Sequence, residues 1–173
     1  IAEQNIQYTN WINVNSPIEF VLGGKKKVAT KGYLPSSNHL PNWIQKLGYL
    51  YRHLVNFPDG QIGWYPFAMK AGNRLISKWF PDLIFASASP FTTLLVASAL
   101  SRKHNIPWIA ELRDLWSDNH NFIGPTWRQL LERKLESRIL KSACGLVTVS
   151  EPLKETLNSK YSIPCKVVTN GFD

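Results

Sequence analysis

"DLIFASASPFTTLLVASALSRKHNIPWIAEL" (residues 82 to 112) decides the fold, because it joins two short apolar runs through a helix-length segment. Its uncharged part, Leu83 to Leu100, reaches transmembrane length, yet Ser87, Ser89, Thr92, Thr93 and Ser98 surround a central Pro90. A strand over 82–87, a helix with Ser89 as N-cap and Pro90 at its first position, and a strand over 107–112 account for those residues better. Asn105 and Pro107 end the helix.

The alternation continues downstream. Residues 126–141, "TWRQLLERKLESRILK", repeat apolar side chains at Trp127, Leu131, Leu135 and Ile139, which predicts a helix with that stripe facing the core. "CGLVTVS" (144–150) is a third strand, Ser150 caps a short helix "EPLKETLNSK", and "CKVVTN" (165–170) is a fourth strand. Strands that alternate with helices predict right-handed crossovers, hence a Rossmann-like, doubly wound α/β fold: a mostly parallel sheet with helices on both faces. Upstream, residues 41–56 and 66–80 read as helices, the first with Trp43, Leu47, Leu50 and Leu54 on one face. Pro58-Asp59-Gly60 reads as a turn, and Gly23-Gly24 as a hairpin or a loop between two strands.

Composition narrows the function classes. With 173 residues, 44% of them hydrophobic, the chain suits one domain with a sizeable core. A formal net charge of +8 favours anionic partners: phosphorylated ligands, nucleic acid or a lipid surface. Nucleic acid is not expected, because basic and aromatic residues are dispersed rather than interleaved in a stripe. Lys134, Arg138 and Lys141 share one face of the 126–141 helix with Trp127 behind them, so this face is either plainly solvated or rests on anionic lipid. Cys144 and Cys165 each open a β-branched apolar run and read as buried, reduced thiols, which points to a reducing, cytoplasmic compartment.

Catalytic signatures of the simple kind do not match. "GGKKK" (23–27) has Glu19 and Lys26 where a phosphate loop requires Gly and Ser or Thr, and it reads as a solvated turn. The four histidines are scattered and the cysteines lie far apart in sequence, so no metal site is expected. Ligands of an open α/β sheet bind beyond the carboxyl ends of the strands, which selects Ser87 to Pro90, Arg113 to His120, Ser150 to Glu151 and Asn170 to Asp173. At Ser87 and Ser89 a helix N-terminus suits a phosphate or sugar hydroxyl, although a plain cap explains the residues equally well. In "ELRDLWSDN" (111–119), Arg113 offers a guanidinium fork for phosphate and Asp114 a carboxylate for hydroxyls, unless the two form an ion pair that pins the loop. Trp116 and Asp118 belong to the same candidate site, and His120 is a candidate for proton handling.

Taken in order, "FPDGQIGWYPFAMKAGNRLI" (57–76), "PDLIFASASPFTTLLVASALSRKHNIPWIAELRDLWSDN" (81–119), "LERKLESRILKSACGLVTVSEPLKETL" (131–157) and "VVTNGFD" (167–173) resemble the N-terminal domain of family 4 glycosyltransferases of the GT-B fold. The resemblance implies a two-domain, retaining hexosyltransferase-type enzyme whose N-terminal domain holds the acceptor. A UDP- or GDP-sugar donor would sit on a C-terminal domain, and no cofactor belongs to this one. The resemblance places Arg113, Asp114 and nearby loop residues at the acceptor side of the cleft, where Asp114 and His120 are the catalytic candidates. With Ser87 and Ser89 taken from the strand-end rule, Arg113, Trp116 and Asp118 are expected to bind the acceptor, Ser150 and Glu151 match the family's "VS" turn, and Asn170 and Gly171 lead into the donor domain. The family's donor-side pair of glutamates eight positions apart is not found. The whole chain, 1–173, is then one N-terminal domain in which 1–56 has no settled role and 170–173 begin a linker. Without its donor domain it is expected to be inactive alone. A saccharide or lipid-linked acceptor is the expected partner, in bacterial polysaccharide or glycoconjugate synthesis, with the protein cytoplasmic or peripheral at the inner face of the plasma membrane. The alternative is a non-catalytic Rossmann-like module that docks on a partner or a membrane.

Overall fold

A computed structural model describes residues 6–16, 41–119 and 124–171. In chain order the elements are α1 (Asn42–Val55), a 3-10 turn (Ile62–Trp64), α2 (Tyr65–Lys78), β1 (Ile84–Ala88), α3 (Thr92–His104), β2 (Trp108–Leu112), α4 (Thr126–Leu140), β3 (Gly145–Thr148), α5 (Glu151–Lys160) and β4 (Cys165–Val167). The Gly23-Gly24 and "GGKKK" readings lie outside the described residues.

The four strands pair in parallel in the order β1-β2-β3-β4, the Rossmann-like α/β arrangement that the alternating sequence implies. Register places Ala86, Ala110, Leu146 and Cys165 side by side on one face. That face carries the core: Ala86, Ala88, Trp108, Ala110, Leu112 and Leu146 pack against Leu94 and Ala97 of α3, Ile139 and Leu140 of α4, and Leu157 of α5. A strand order that follows chain order, combined with right-handed crossovers, puts these three helices on the same side. On the opposite face Phe85 and Ser87 of β1 and Lys166 of β4 are exposed. A second cluster joins Ala68 and Ile76 of α2 to Val96 and Leu100 of α3. Gly72 permits this approach, since a Cβ there would lie 2.5 Å from Leu100 Cδ1.

Most polar atoms inside the core are paired, the buried Trp116 indole N–H and Glu136 Oε1 being without a hydrogen-bond partner among the described residues. The fully buried Trp108 donates its indole N–H to the Ser142 carbonyl at 2.9 Å, which ties β2 to the turn after α4. Asn105 adopts the left-handed conformation (φ 55°) that closes α3, as its position before Pro107 predicts.

Three expectations require correction. The N-cap position of α3 is Phe91, not Ser89, and the capping is done by a distant residue: Asp59 accepts hydrogen bonds from the Thr92 backbone N–H at 2.8 Å and its hydroxyl at 2.7 Å. A carboxylate there also complements the helix dipole. Cys144 is exposed rather than buried, while Cys165 is half-buried with its thiol pushed up by burial. The third correction concerns α4. Only half of its apolar stripe faces inward: Leu135 and Ile139 pack on the core, but Trp127 and Leu131, with Leu130 beside them, are exposed, and Glu132 and Glu136 are buried instead.

The carboxylates turn inward because they have partners there. Glu132 accepts from Arg128 at 2.8 Å, though burial still raises its pKa. Glu136 accepts hydrogen bonds from the backbone N–H and the hydroxyl of the fully buried Ser117, with Lys160 of α5 at 3.8 Å. Tyr161 beside it has its phenol pushed well above the ordinary value, first by burial and then by the Glu136 charge. Asp118 pairs with Lys160 and with Arg133 at 3.2 Å, and Lys160 holds its carboxyl below the usual range. Arg128 also reaches back to α1, donating to the Asn56 and Pro58 carbonyls and to His53 Nδ1 at 3.1 Å. A guanidinium only donates, so Nδ1 accepts and the ring stays neutral. Burial, then Arg128 and Arg52, accordingly lower the His53 pKa.

Removal of a buried carboxylate that holds two donors leaves those donors unsatisfied. Glu136→Ala is expected to lower unfolding stability by about 3 kcal/mol, and Glu136→Gln, which keeps an acceptor, by clearly less. Urea unfolding of the two variants checks this. For His53 the sign follows from a folded pKa below the ordinary 6.5: its contribution is complete above that value and is lost as pH falls through the folded pKa. Thermal melts from pH 7.5 down to about 5 should show the wild type losing stability relative to His53→Gln over that window.

Candidate functional site

Beyond the carboxyl end of β1 lies a cavity of about 660 Å³. Three stretches of chain build it. Ser89, Pro90 and Thr93 come from the β1–α3 junction, Asp59, Gly60, Gln61 and Trp64 from the turn before α2, and Thr9 and Trp11 from the N-terminal segment. Each wall is held by a specific contact. Asp59 spans two of the stretches, since it caps α3 and also accepts the Gln61 N–H at 2.9 Å. The Trp64 indole donates to the Thr9 hydroxyl at 2.7 Å, and the Ile12 N–H bonds to the Gly63 carbonyl at 3.3 Å. Gly63 must lack a side chain here, because a Cβ would lie 2.0 Å from the Ile12 carbonyl oxygen.

Chemically, the cavity is lined by two indole side chains together with hydroxyls and an amide. Trp11 is about half exposed, so its ring remains open to a ligand. Aromatic faces stack on apolar ring faces while polar groups at the rim orient hydroxyls, a combination suited to an uncharged, polyhydroxylated molecule. Asp59 contributes mainly as a brace, since its oxygens already accept three protein hydrogen bonds.

The end of β2 supplies a second group of candidates. Arg113 continues the sheet through its N–H to the Ala88 carbonyl, and its guanidinium donates to Asn170 Oδ1 at 2.8 Å. The structure thus unites two candidates that lie far apart in sequence, across the end of β3. Asp114 is exposed at the same edge. The neighbouring loop residues differ in kind. Trp116 is 2% exposed and stacks on Phe91 with ring centroids 4.7 Å apart, so it is a core residue beneath the site rather than a ligand contact. Asp118 is engaged by Arg133 and Lys160 and therefore serves to anchor the loop.

Ser87 is exposed on the open face of β1, while Ser89 lines the cavity. Ser150 occupies the N-cap position of α5 without a side-chain cap bond, and Glu151 pairs with Lys154 at 3.0 Å. Asn170 and Gly171 are exposed beyond β4. His120 and Asp173 lie outside the described residues, among which no cluster of three metal-ligating side chains occurs.

Thr9, Trp11, Asp59, Gln61, Trp64 and Thr93 are the site residues that the sequence did not single out. "PDG" explains itself as a turn, so nothing marks Asp59 as the cap of a helix that begins 33 positions later. A family model described as Glycosyltransferase Family 4 matches residues 28–173. No curated protein matches the chain. Thr9 and Trp11 precede the matched span, and Asp59, Gln61, Trp64, Ser89 and Thr93 fall within it.

Because the clash at Gly63 is with backbone, it cannot be relieved by a rotamer change. Gly63→Ala should lift the N-terminal segment off the turn, costing roughly 1–3 kcal/mol, and break the Trp64–Thr9 bond. Limited proteolysis would then cut near residues 6–15 faster than in the wild type, with a red shift in tryptophan emission.

Proposed function

The chain belongs to glycosyltransferase family 4, and from that premise we propose that it binds the acceptor for a retaining, hexosyltransferase-type enzyme that draws on a nucleotide-sugar. The observation that carries the acceptor role is the cavity beyond β1, lined by Trp11 and Trp64 together with Gln61, Ser89 and Thr93. A sugar ring has apolar C–H faces and a hydroxyl rim, and this wall chemistry complements both. A UDP- or GDP-sugar would be held by a separate donor-binding domain, which leaves the strand ends of this one to the acceptor.

In this reading Asp114 orients the attacking hydroxyl at the exposed edge of β2. Arg113, tethered to Asn170, presents cationic charge where a phosphate of the departing nucleotide or of a lipid-linked acceptor would lie. Closure of the two domains would bring donor and acceptor into reacting geometry and exclude water. His120 is retained as a candidate for proton handling. The setting we infer is bacterial polysaccharide or glycoconjugate assembly at the cytoplasmic side of the membrane.

The test uses the complete enzyme with oligosaccharide acceptors. Trp11→Ala should raise the acceptor KM about tenfold while kcat stays within about threefold, since stacking acts equally on ground and transition states. Asp114→Asn should lower kcat about a hundredfold with a small change in acceptor KM. An unchanged acceptor KM in Trp11→Ala removes the acceptor from this cavity, and unchanged turnover in Asp114→Asn removes that carboxylate from the reaction.

A further inference from the structure

Helix α1 is held to the body by polar ties more than by packing. No residue of α1 is fully buried, and its apolar stripe of Trp43, Leu47, Leu50 and Leu54 is exposed. Tyr51 donates to the Val14 carbonyl at 2.9 Å, and Asn56, which ends the helix, exchanges two side-chain hydrogen bonds with Asn15. Arg128 of α4 adds a further tie. Its side chain is 13% exposed and makes four hydrogen bonds. Nε donates to Glu132 at 2.8 Å and one terminal nitrogen to His53 Nδ1 at 3.1 Å, while the other reaches the carbonyls of Asn56 at 2.8 Å and Pro58 at 3.1 Å.

Those two carbonyls lie immediately before a wall of the cavity. Asn56 and Pro58 lead into Asp59, Gly60 and Gln61, which line it, and Asp59 in turn caps α3 and accepts the Gln61 N–H. Through Asn15 the same stretch reaches the N-terminal segment that carries Thr9 and Trp11. The guanidinium thus stands behind two of the stretches that build the cavity without itself lining it. A planar fork with fixed N–H directions holds two carbonyls and a ring nitrogen in one geometry, which a single ammonium cannot do.

We infer that Arg128 is a positioning residue for the acceptor cavity and that His53 makes its grip depend on pH, an inference that rests on the acceptor binding there. As a neutral ring His53 accepts from Arg128. Protonation puts a hydrogen on the accepting nitrogen and sets a cation against Arg128 and Arg52. The other titratable neighbours do not offset this, since Glu132 is engaged by Arg128 itself and Tyr49 meets the imidazole edge-on at 4.2 Å between centroids. Asp59 lies on the far side of the Arg128–Glu132 pair, near enough to act on Glu132. Burial, then Arg128 and Arg52, hold the His53 pKa below 6.5, so the grip is complete above that value and is lost as pH falls through the folded pKa. Release of the two carbonyls then frees residues 59–61 to shift.

Acceptor kinetics of the complete enzyme, paired with amide hydrogen exchange, test this. Arg128→Lys keeps a charge beside Glu132 but loses the fork, and it should raise the acceptor KM about fivefold with kcat within about twofold. The Gln61, Trp64 and Thr92 amides should exchange faster in that variant. In the wild type the acceptor KM should rise about threefold from about pH 7.5 to about 5.5, whereas His53→Gln, whose amide oxygen accepts without titrating, should show no such rise. Parallel pH profiles for the two proteins overturn the role of His53, and this comparison stands even where Arg128→Lys fails to fold. An unchanged KM in Arg128→Lys, in an enzyme where Trp11→Ala does raise it, overturns the role of Arg128. Where Trp11→Ala leaves KM unchanged it is the acceptor reading that fails, and unchanged exchange in Arg128→Lys then overturns the grip on the wall independently.

Discussion

The buried carboxylate of Glu136 is the constraint on which much of this domain depends. A charge without solvent exposure is tolerated only with donors and a counter-charge at hand, and here Ser117 and Lys160 provide them. Three elements are thereby committed to one arrangement: α4 carries the acid, the loop after β2 carries Ser117, and the end of α5 carries Lys160. That loop begins with Arg113 and Asp114, so the placement of the candidate reaction edge follows from an interaction several residues away. The pairing of Asp118 with Lys160 and Arg133 reinforces the same anchor.

The orientation of α4 follows as well. A helix that must point Glu132 and Glu136 inward cannot also bury Trp127, Leu130 and Leu131, which lie on its other side. The inward acids thus produce an outward surface of indole, leucine, lysine and arginine. Alongside it α1, held by Arg128 and by the asparagine pair, turns its own apolar stripe outward. A choice made for the interior has set the chemistry of the exterior.

Asp59 has an equivalent part at the cavity. It caps α3 from a turn that precedes α2 and so draws that turn against the end of β1. Gly63 then admits the N-terminal segment close enough for Thr9 to meet Trp64, and Trp11 completes the wall. The core of the cavity lies within the span shared with glycosyltransferase family 4, whereas Thr9 and Trp11 come before it.

Local patterning determined the elements. Alternating β-type runs and amphipathic stretches, with Asn105 before Pro107 and Pro81 before β1, place four strands and their crossovers, because propensity and chain stops act over a few residues. The same reasoning located the edge of the sheet where Arg113, Asp114, Ser89 and Asn170 gather, since parallel strands all end on one side. Only the tertiary structure decided which way α4 faces, who caps α3, and what walls the cavity. Each of these turns on pairs distant in sequence: Ser117 with Glu136, Asp59 with Thr92, Thr9 with Trp64. A hydrophobic stripe reports that a helix is amphipathic, but a carboxylate that finds buried donors can turn part of that stripe outward, and no local pattern records where those donors will be.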